Sequence, residues 1–256
     1  MVRSSRHDFG RRSSRYSPPH ISRREGYYQA THRPLNCLLF LLPLIIVYEI
    51  GSMMAPASPL EGAGGPDRVI AFYWVLRFLG LFTYVPTGLP GLLVVAILLL
   101  WHAATAGRTR VRWQTLAGMA VESFLFCLPI LVASRLCQVY LAGEMVPSLR
   151  DKLVIDLTAG IYEELIFRLL AIWMLKLVLI ELMELPHVAS MVVIVIITAL
   201  MFSGYHYLGA ESFQWKSFLF RTTAGLLLGI AYVQRGFGIA VGAHSLYDVI
   251  VTLWAG

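Results

Sequence analysis

The sequence from residue 162 to residue 168 reads Tyr-Glu-Glu-Leu-Ile-Phe-Arg. These residues lie within a run of leucine, isoleucine, valine and alanine that is apolar enough for a lipid bilayer. A charged side chain at the centre of a membrane helix costs roughly 2.5–3.5 kcal/mol on insertion scales, so such side chains are usually paired or face water. The stretch therefore predicts a membrane helix that brings charged groups to a functional site.

The composition of the chain also indicates a membrane protein. The chain has 256 residues, of which 57% are hydrophobic and 14% are charged, whereas a soluble domain carries about 25% charged residues. Several apolar runs approach or exceed the roughly 20 residues that cross a bilayer as a helix. Because lipid offers the backbone no hydrogen bonds, each span is expected to be helical. We predict an all-α, polytopic transmembrane helical bundle with about seven spans.

Residues 1–34 are predicted to be a disordered, basic N-terminal arm. The net charge of the chain is +6, and eight arginines fall in this arm: Arg3, Arg6, Arg11, Arg12, Arg15, Arg23, Arg24 and Arg33. Arginines next to a first span mark the cytoplasmic side of a membrane and attract anionic lipid headgroups. No nucleic-acid-binding motif accompanies them, so the expected partner of the arm is the lipid bilayer and not nucleic acid.

Residues 35–114 are predicted to hold the N-terminal spans and an interfacial helix. The interfacial helix is placed at residues 69–85, which combine one arginine with many aromatic side chains. If this segment crosses the membrane instead, the spans number eight. The non-crossing arrangement is favoured because it returns Arg108, Arg110 and Arg112 to the side of the N-terminal arm.

Residues 115–256 are predicted to form the membrane core. Spans are expected from the apolar runs and from their polar or glycine-rich boundaries. Over the whole chain they lie at 35–54, 89–106, 116–140, 153–182, 188–207, 218–233 and 238–254.

The span that contains the opening stretch carries an ion pair and a separate carboxylate. Glu164 and Arg168 are four residues apart, so they lie on one helix face and are able to pair. Glu163 points about 100° away from its neighbour, because each residue turns the helix by that angle. Asp156, seven residues before Glu163, shares the face of Glu163.

Two later spans carry polar pairs at the same spacing. Phe202 and His206 are four residues apart in one span, and His244 and Asp248 are four apart in the last span. Glycines repeat at four-residue intervals in the last two spans, a spacing that lets membrane helices approach closely. The three polar spans are therefore able to meet at one site.

Such a set of side chains is suited to the activation of water. Glu163, assisted by His206, could take a proton from water and pass it to a leaving amine. His244 with Asp248 could stabilise a carbonyl oxygen that develops negative charge. An ionised aspartate cannot donate a hydrogen bond, so Asp248 would be either protonated or a group that orients and charges His244.

Structural readings of the same residues stay open. Glu164 and Arg168 form a buried ion pair that fixes helix register in one such reading. In other structural interpretations, His206 anchors its helix at the membrane interface and His244 forms a hydrogen bond between two helices.

A metal site is a further alternative, because two glutamates and two histidines could bind zinc. The chain has no HExxH spacing, and Glu164 is committed to Arg168. The cysteines Cys37, Cys127 and Cys137 are odd in number and form no CxxC, which argues against a zinc knuckle and a disulfide framework. The sequence therefore predicts neither a metal nor another cofactor.

The three polar motifs resemble those of a known family. Glu163-Glu164-x-x-x-Arg168, Phe202-x-x-x-His206 and His244-x-x-x-Asp248 are similar, in this order, to the motifs of the CAAX-protease and bacteriocin-processing family of intramembrane glutamic endopeptidases. The eukaryotic prenyl-protein CAAX endopeptidase belongs to this family, as do bacterial homologues linked to bacteriocin immunity. The resemblance covers roughly residues 115–256, which makes this core the catalytic part of the chain.

The resemblance implies a role for each motif residue. Glu163 would be the general base, His206 would hold the attacking water, and His244 and Asp248 would form the oxyanion site. The supporting residues would be Glu164, Arg168 and Phe202. The family is described as metal-independent. Position 248 is an aspartate where the prenyl-protein enzymes carry asparagine, so its role follows less directly than that of the base.

The predicted function is therefore an intramembrane endopeptidase that acts on a peptide or protein substrate at the membrane. Two alternatives remain: a catalytically inactive immunity or peptide-binding protein, and a proton-coupled carrier that uses Glu163 and the histidines. The expected location is the bacterial plasma membrane with the N-terminus in the cytoplasm, as the positive-inside rule and the bacterial homologues suggest.

Overall fold

The computed structural model of the protein describes residues 26–54, 89–105, 109–137, 149–208 and 212–255. These residues form eight helices and no strand, which confirms the predicted all-α fold. The helices are α1 (Tyr27–Thr31), α2 (Pro34–Met54), α3 (Leu89–Ala104), α4 (Trp113–Leu136), α5 (149–182), α6 (His187–Tyr205), α7 (Trp215–Arg235) and α8 (Phe237–Ala255).

Four of the described helices contain segments long and apolar enough to cross a membrane: Pro34–Gly51, Trp113–Leu136, His187–Leu208 and Phe237–Trp254. The prediction of about seven spans also counted α3, α5 and α7. Helix α3 is apolar but shorter, at 16 residues. Helices α5 and α7 are longer but carry several charged residues in their apolar sequence. Among the described residues, length and composition therefore support four of the seven predicted spans.

Helix α5 changes its geometry directly after the two glutamates. It is α-helical over Leu149–Glu164, π-helical over Leu165–Leu170, α-helical over Ala171–Lys176 and π-helical over Leu177–Leu182. In the first π-helical segment the Ala171 N–H reaches back five residues to the Ile166 carbonyl. Such turns are rare and occur frequently at functional sites.

Part of the segment that the sequence analysis assigned to the N-terminal arm is helical. Residues 27–31 form α1, and the rings of Tyr27 and Tyr28 lie 5.2 and 5.0 Å from the Arg235 guanidinium at the end of α7. The attraction between the Arg235 guanidinium and these two rings holds α1 against the bundle, although its sequence composition resembles that of the arm. The rest of the arm, the predicted interfacial helix at 69–85 and Arg108 lie outside the described residues.

Contacts between helix ends give the direction of each helix. Gly91 at the start of α3 packs against Ile45 and Glu49 near the end of α2, so these two helices run antiparallel. Tyr27 contacts Gly118 in the second turn of α4. The start of α2, the start of α4 and the end of α7 therefore lie at one end of the bundle, which we name the α1 end.

The opposite end is where α6 finishes and α7 begins. Ser203 Oγ, one turn before His206, donates a hydrogen bond to the Phe218 carbonyl at 2.8 Å. We name this the α6–α7 end.

Small residues bring the helices into close contact, as their spacing predicted. A Cβ on Gly225 of α7 would lie 3.0 Å from Ala199 Cα on α6. A Cβ on Gly242 of α8 would meet the side chain of Ser123 on α4. Close backbone approach of this kind is the usual basis of helix packing in membranes.

Helix α8 lies at the centre of the bundle. Its apolar segment is 67% buried, compared with 22% for that of α4. It contacts α2, α4, α5 and α7. A polar side chain on α8 is therefore surrounded by protein and not by lipid.

Candidate active site

The three polar motifs converge on one carboxylate. Glu163 Oε1 lies 3.6 Å from His206 Nε2, and Glu163 Oε2 lies 3.6 Å from His244 Nε2. Helix α5 supplies the glutamate, the turn after α6 supplies His206, and α8 supplies His244. Glu163 is almost completely buried. The structure thus brings together residues that are 43 and 81 positions apart in the chain.

Glu164 binds two partners, one on its own helix and one on α8. Its Oε2 lies 3.1 Å from Arg168 Nε, and its Oε1 accepts a hydrogen bond from His244 Nδ1 at 2.9 Å. Glu164 and Arg168 are both 0% exposed. The expected i,i+4 ion pair is present, and Glu164 also orients the imidazole of His244.

Arg168 connects α5 to two further helices. Its Nη2 donates a hydrogen bond to the Gly225 carbonyl on α7 at 3.2 Å. Its guanidinium carbon lies 4.7 Å from the ring centre of Phe202 on α6, at cation–π distance. Gly225 is also a point where α7 and α6 approach closely. Arg168 therefore joins α5, α6 and α7 near this contact.

A backbone hydrogen bond fixes the orientation of His206. Its Nδ1–H donates to the Phe202 carbonyl at 2.8 Å, which leaves Nε2 directed toward Glu163. The Phe202 ring packs edge-on against both imidazoles, with centroids 5.1 Å from His206 and 5.8 Å from His244. Phe202 therefore supports both histidines.

Asp248 reaches the same imidazole from one turn further along α8. Its Oδ2 lies 3.4 Å from His244 Nε2. Two carboxylate oxygens, from Glu163 and Asp248, therefore face one nitrogen at distances longer than an ordinary N–H···O hydrogen bond.

These side chains surround a cavity of about 30 Å³. A cavity of about 10–15 Å³ accommodates one water molecule if polar partners are present, so this one is large enough for water. It is lined by Ile130, Glu163, Phe202, His206, Phe220, Arg221, Ala224, Leu228, His244, Tyr247 and Asp248. One wall is polar, and α4 and α7 supply an apolar wall.

Two residues differ from the sequence-based expectation. Arg221 on α7 was not singled out, yet it lines the cavity and is 8% exposed. The signal was available, since Arg221 is a charge in an apolar helix like Glu163. Asp156 shares a helix face with Glu163 but is not among the residues that line the cavity. It accepts a hydrogen bond from Thr252 on α8 and so ties α5 to α8.

In the part of the chain that the structure describes, no group of three or more histidine, cysteine, aspartate and glutamate side chains is arranged to hold a metal ion. The three cysteines are free thiols, and Cys37 and Cys127 are buried. Neither Cys37 nor Cys127 lines the cavity.

The helical bundle and its apolar helices define an integral membrane protein. Residues 147–250 match the family model described as Type II CAAX prenyl endopeptidase Rce1-like. The matched segment contains all three polar motifs, and the match confirms the resemblance found from the sequence. The match supports a protease at the membrane. No curated protein and no solved structure matches the chain.

Proposed function

We propose that the protein is a metal-independent intramembrane endopeptidase in which Glu163 activates a water molecule to hydrolyse a peptide bond. The observation that carries this proposal is the position of Glu163, at 3.6 Å from His206 on one side and 3.6 Å from His244 on the other, beside a cavity large enough for water.

Glu163 and His206 hold the attacking water between them. His206 donates through Nδ1 to the Phe202 carbonyl, so Nε2 of the neutral ring accepts a hydrogen bond from water. Glu163 accepts the other water proton as the oxygen attacks the carbonyl carbon of the substrate. General-base catalysis of this kind requires an ionised carboxylate within hydrogen-bond reach of the proton it removes.

His244 stabilises the oxyanion that the attack creates. Its Nε2 faces the cavity between Glu163 and Asp248 and donates to the carbonyl oxygen as negative charge develops there. The tetrahedral intermediate then collapses. The C–N bond breaks, the leaving amine takes the proton held by Glu163, and a carboxylic acid and an amine are released.

Glu164, Arg168 and Phe202 support this arrangement without touching the reacting atoms. Glu164 holds His244 through Nδ1, and Arg168 holds Glu164. Phe202 fixes His206 through its carbonyl and packs its ring against both imidazoles. Residues that contact the catalytic side chains in this way keep the reacting groups in productive geometry.

The proposed substrate is a peptide or protein at the membrane. The family description supports a CAAX sequence that carries a prenyl group. The apolar wall of the cavity, formed by Ile130, Phe220 and Leu228, suits an aliphatic side chain next to the scissile bond.

The test is Glu163→Gln in protein reconstituted into liposomes, with a prenylated peptide ending in a CAAX sequence as the probe. We expect the rate of cleavage to fall by about 10²–10⁴-fold, because the amide cannot accept the water proton. Glu181→Gln is the matched control, since Glu181 lies on the same helix but is exposed. The control is expected to cleave at the rate of the unmodified protein.

The other functions predict different results. A binding protein keeps its peptide affinity in Glu163→Gln and cleaves nothing before or after the change. A carrier shows proton-dependent flux in the same liposomes. Loss of cleavage on addition of a chelator would contradict the metal-independent mechanism.

We further propose that the protein lies in a bacterial plasma membrane with its N-terminus in the cytoplasm. The support is the charge at the α1 end of the bundle, where Arg33 precedes α2 and Arg110 and Arg112 precede α4. Basic residues flanking spans are retained on the cytoplasmic side.

A further inference from the structure

His244 makes contact with three carboxylates. Its Nδ1 lies 2.9 Å from Glu164, and its Nε2 lies 3.6 Å from Glu163 and 3.4 Å from Asp248. The second oxygen of Glu164 lies 3.1 Å from Arg168 Nε, so both oxygens of this carboxylate face a donor. The nitrogen that faces Glu164 at 2.9 Å therefore carries a proton.

The second nitrogen decides the charge of the ring. In a neutral imidazole with a proton on Nδ1, Nε2 presents a lone pair. That lone pair would face the oxygens of Glu163 and Asp248 at 3.6 and 3.4 Å, which is repulsive. A proton on Nε2 converts both contacts into attractions between a cation and carboxylates.

The charge balance of the buried site leads to the same state. Glu163, Glu164 and Asp248 contribute three negative charges, while Arg168 and Arg221 contribute two positive charges. With both histidines neutral, these five side chains carry one net negative charge. One added proton makes the net charge of the site zero. This state is favoured because low-dielectric surroundings disfavour an uncompensated charge.

The geometry selects His244 as the group that holds this proton. Carboxylate oxygens face both ring nitrogens of His244, whereas Nδ1 of His206 faces the Phe202 carbonyl. Cys127 of α4, which is near Asp248, is a buried free thiol. Imidazole is also a stronger base than a carboxylate in water. His244 is the group that all three carboxylates approach.

We propose that Asp248 is ionised and acts as a positioning residue that keeps His244 in the imidazolium form, so that a cationic N–H forms the oxyanion site. This inference rests on the proposed function and assigns to the aspartate the role of charging the donor instead of donating a hydrogen bond itself. A charge-assisted hydrogen bond is roughly twice as strong as a neutral one, which makes an imidazolium an effective donor to an oxyanion.

Neither carboxylate near Nε2 occupies the donor fully. Both distances exceed the usual 2.7–3.2 Å range of an N–H···O hydrogen bond. The N–H is therefore held in direction between two oxygens and is available to a carbonyl oxygen that enters the cavity.

The first test is the pH profile of kcat/KM for Asp248→Asn with the prenylated CAAX peptide in liposomes. Without the carboxylate, His244 loses its second proton at lower pH. We expect the alkaline limb of the profile to move down by about 1–3 pH units, the usual effect of an opposite charge within 4–6 Å. Asp248→Glu, which keeps the charge, is expected to restore the limb. An unchanged limb in Asp248→Asn would overturn the proposal.

Asp156→Asn is the matched control, because Asp156 is a buried aspartate on α5 that binds Thr252 outside the cavity. Removal of this charge is expected to leave the alkaline limb in place. A shift as large as that of Asp248→Asn would mean that any buried carboxylate has this effect, and the specific role of Asp248 would be wrong.

A second readout is independent of catalysis. In protein labelled with ¹⁵N-histidine, the signals of His244 are assigned by comparison with His244→Gln, and both ring nitrogens are expected to be protonated at neutral pH. In Asp248→Asn the change to the neutral ring is expected at lower pH. If Glu163→Gln retains activity, the proposed function fails while this spectrum still tests the charge of His244. An unprotonated nitrogen at neutral pH in the unmodified protein would contradict the inference directly.

Discussion

The two adjacent glutamates both contact His244 but otherwise have different partners, although they share one stretch of helix. Glu164 is held by Arg168 and His244 at hydrogen-bond or ion-pair distance. Glu163 stands 3.6 Å from two histidines beside the cavity. A rotation of about 100° per residue separates the two roles, because it directs neighbouring side chains into different surroundings.

At this scale the ion pair gives a stability prediction. Arg168→Met removes the cation that faces Oε2 of the buried Glu164, and we expect the free energy of unfolding to fall by about 3–5 kcal/mol. The double change Glu164→Gln with Arg168→Met is expected to recover part of that loss, since no unpaired charge remains. Thermal unfolding in detergent measures both. Equal melting of Arg168→Met and the unmodified protein would show that the pair does not stabilise the fold.

Helices α5 and α8 meet at a glycine one turn before the two glutamates. A Cβ on Gly160 would lie 3.0 Å from the backbone nitrogen and 3.1 Å from the Cα of Ser245, the residue that follows His244. Backbone atoms cannot rotate aside as a flexible side chain can. The absence of a side chain at position 160 therefore sets the separation between the helices that carry Glu163 and His244.

The corresponding prediction is that Gly160→Ala weakens both fold and activity. We expect unfolding to become easier by about 1–3 kcal/mol, the usual effect of overpacking. We also expect cleavage to slow, because α5 moves away from α8. Gly204→Ala is the control: its Cβ has no neighbour within 4 Å, and alanine is favoured over glycine in a helix by about 0.5–1 kcal/mol. Equal melting temperatures and rates for both variants would refute this account of the contact.

For the molecule as a whole, the cavity lies toward the end of the bundle opposite the α1 end. His206 follows the last residue of α6, and Phe220 and Arg221 lie within two turns of the start of α7, so the cavity is nearer the α6–α7 end. Arg33, Arg110 and Arg112 lie at the other end, which is the α1 end. If the arm is cytoplasmic, as we propose, the cavity lies nearer the outer face of the membrane.

Cysteine labelling in intact cells tests this orientation. Trp113 at the α1 end and Trp215 at the α6–α7 end are 75% and 68% exposed, so cysteines at these positions are accessible. In a Cys137→Ser background, we expect a membrane-impermeant maleimide to label Trp215→Cys and not Trp113→Cys. After permeabilisation both are expected to react, which controls for accessibility. The reverse pattern in intact cells would place the N-terminus outside.

The sequence by itself determined the helical class of the protein, the pairing of Glu164 with Arg168 and the three motifs. These features depend on hydrophobicity and on the rotation per residue, which are local properties of the chain. The same local properties assigned residues 27–34 to the arm. They could not reveal that the rings of Tyr27 and Tyr28 contact the Arg235 guanidinium, because this contact forms only in the folded bundle.

Only the tertiary structure decided which side chains meet. The distances from Glu163 to the two histidines, the entry of Arg221 into the cavity and the position of Asp156 outside it depend on how helices pack at contacts such as Gly160. The charge of His244 follows from three carboxylates that come from two helices. Helical spacing determines the helix face on which a residue lies. Which other helix packs against that face depends on close packing between segments that are distant in the chain.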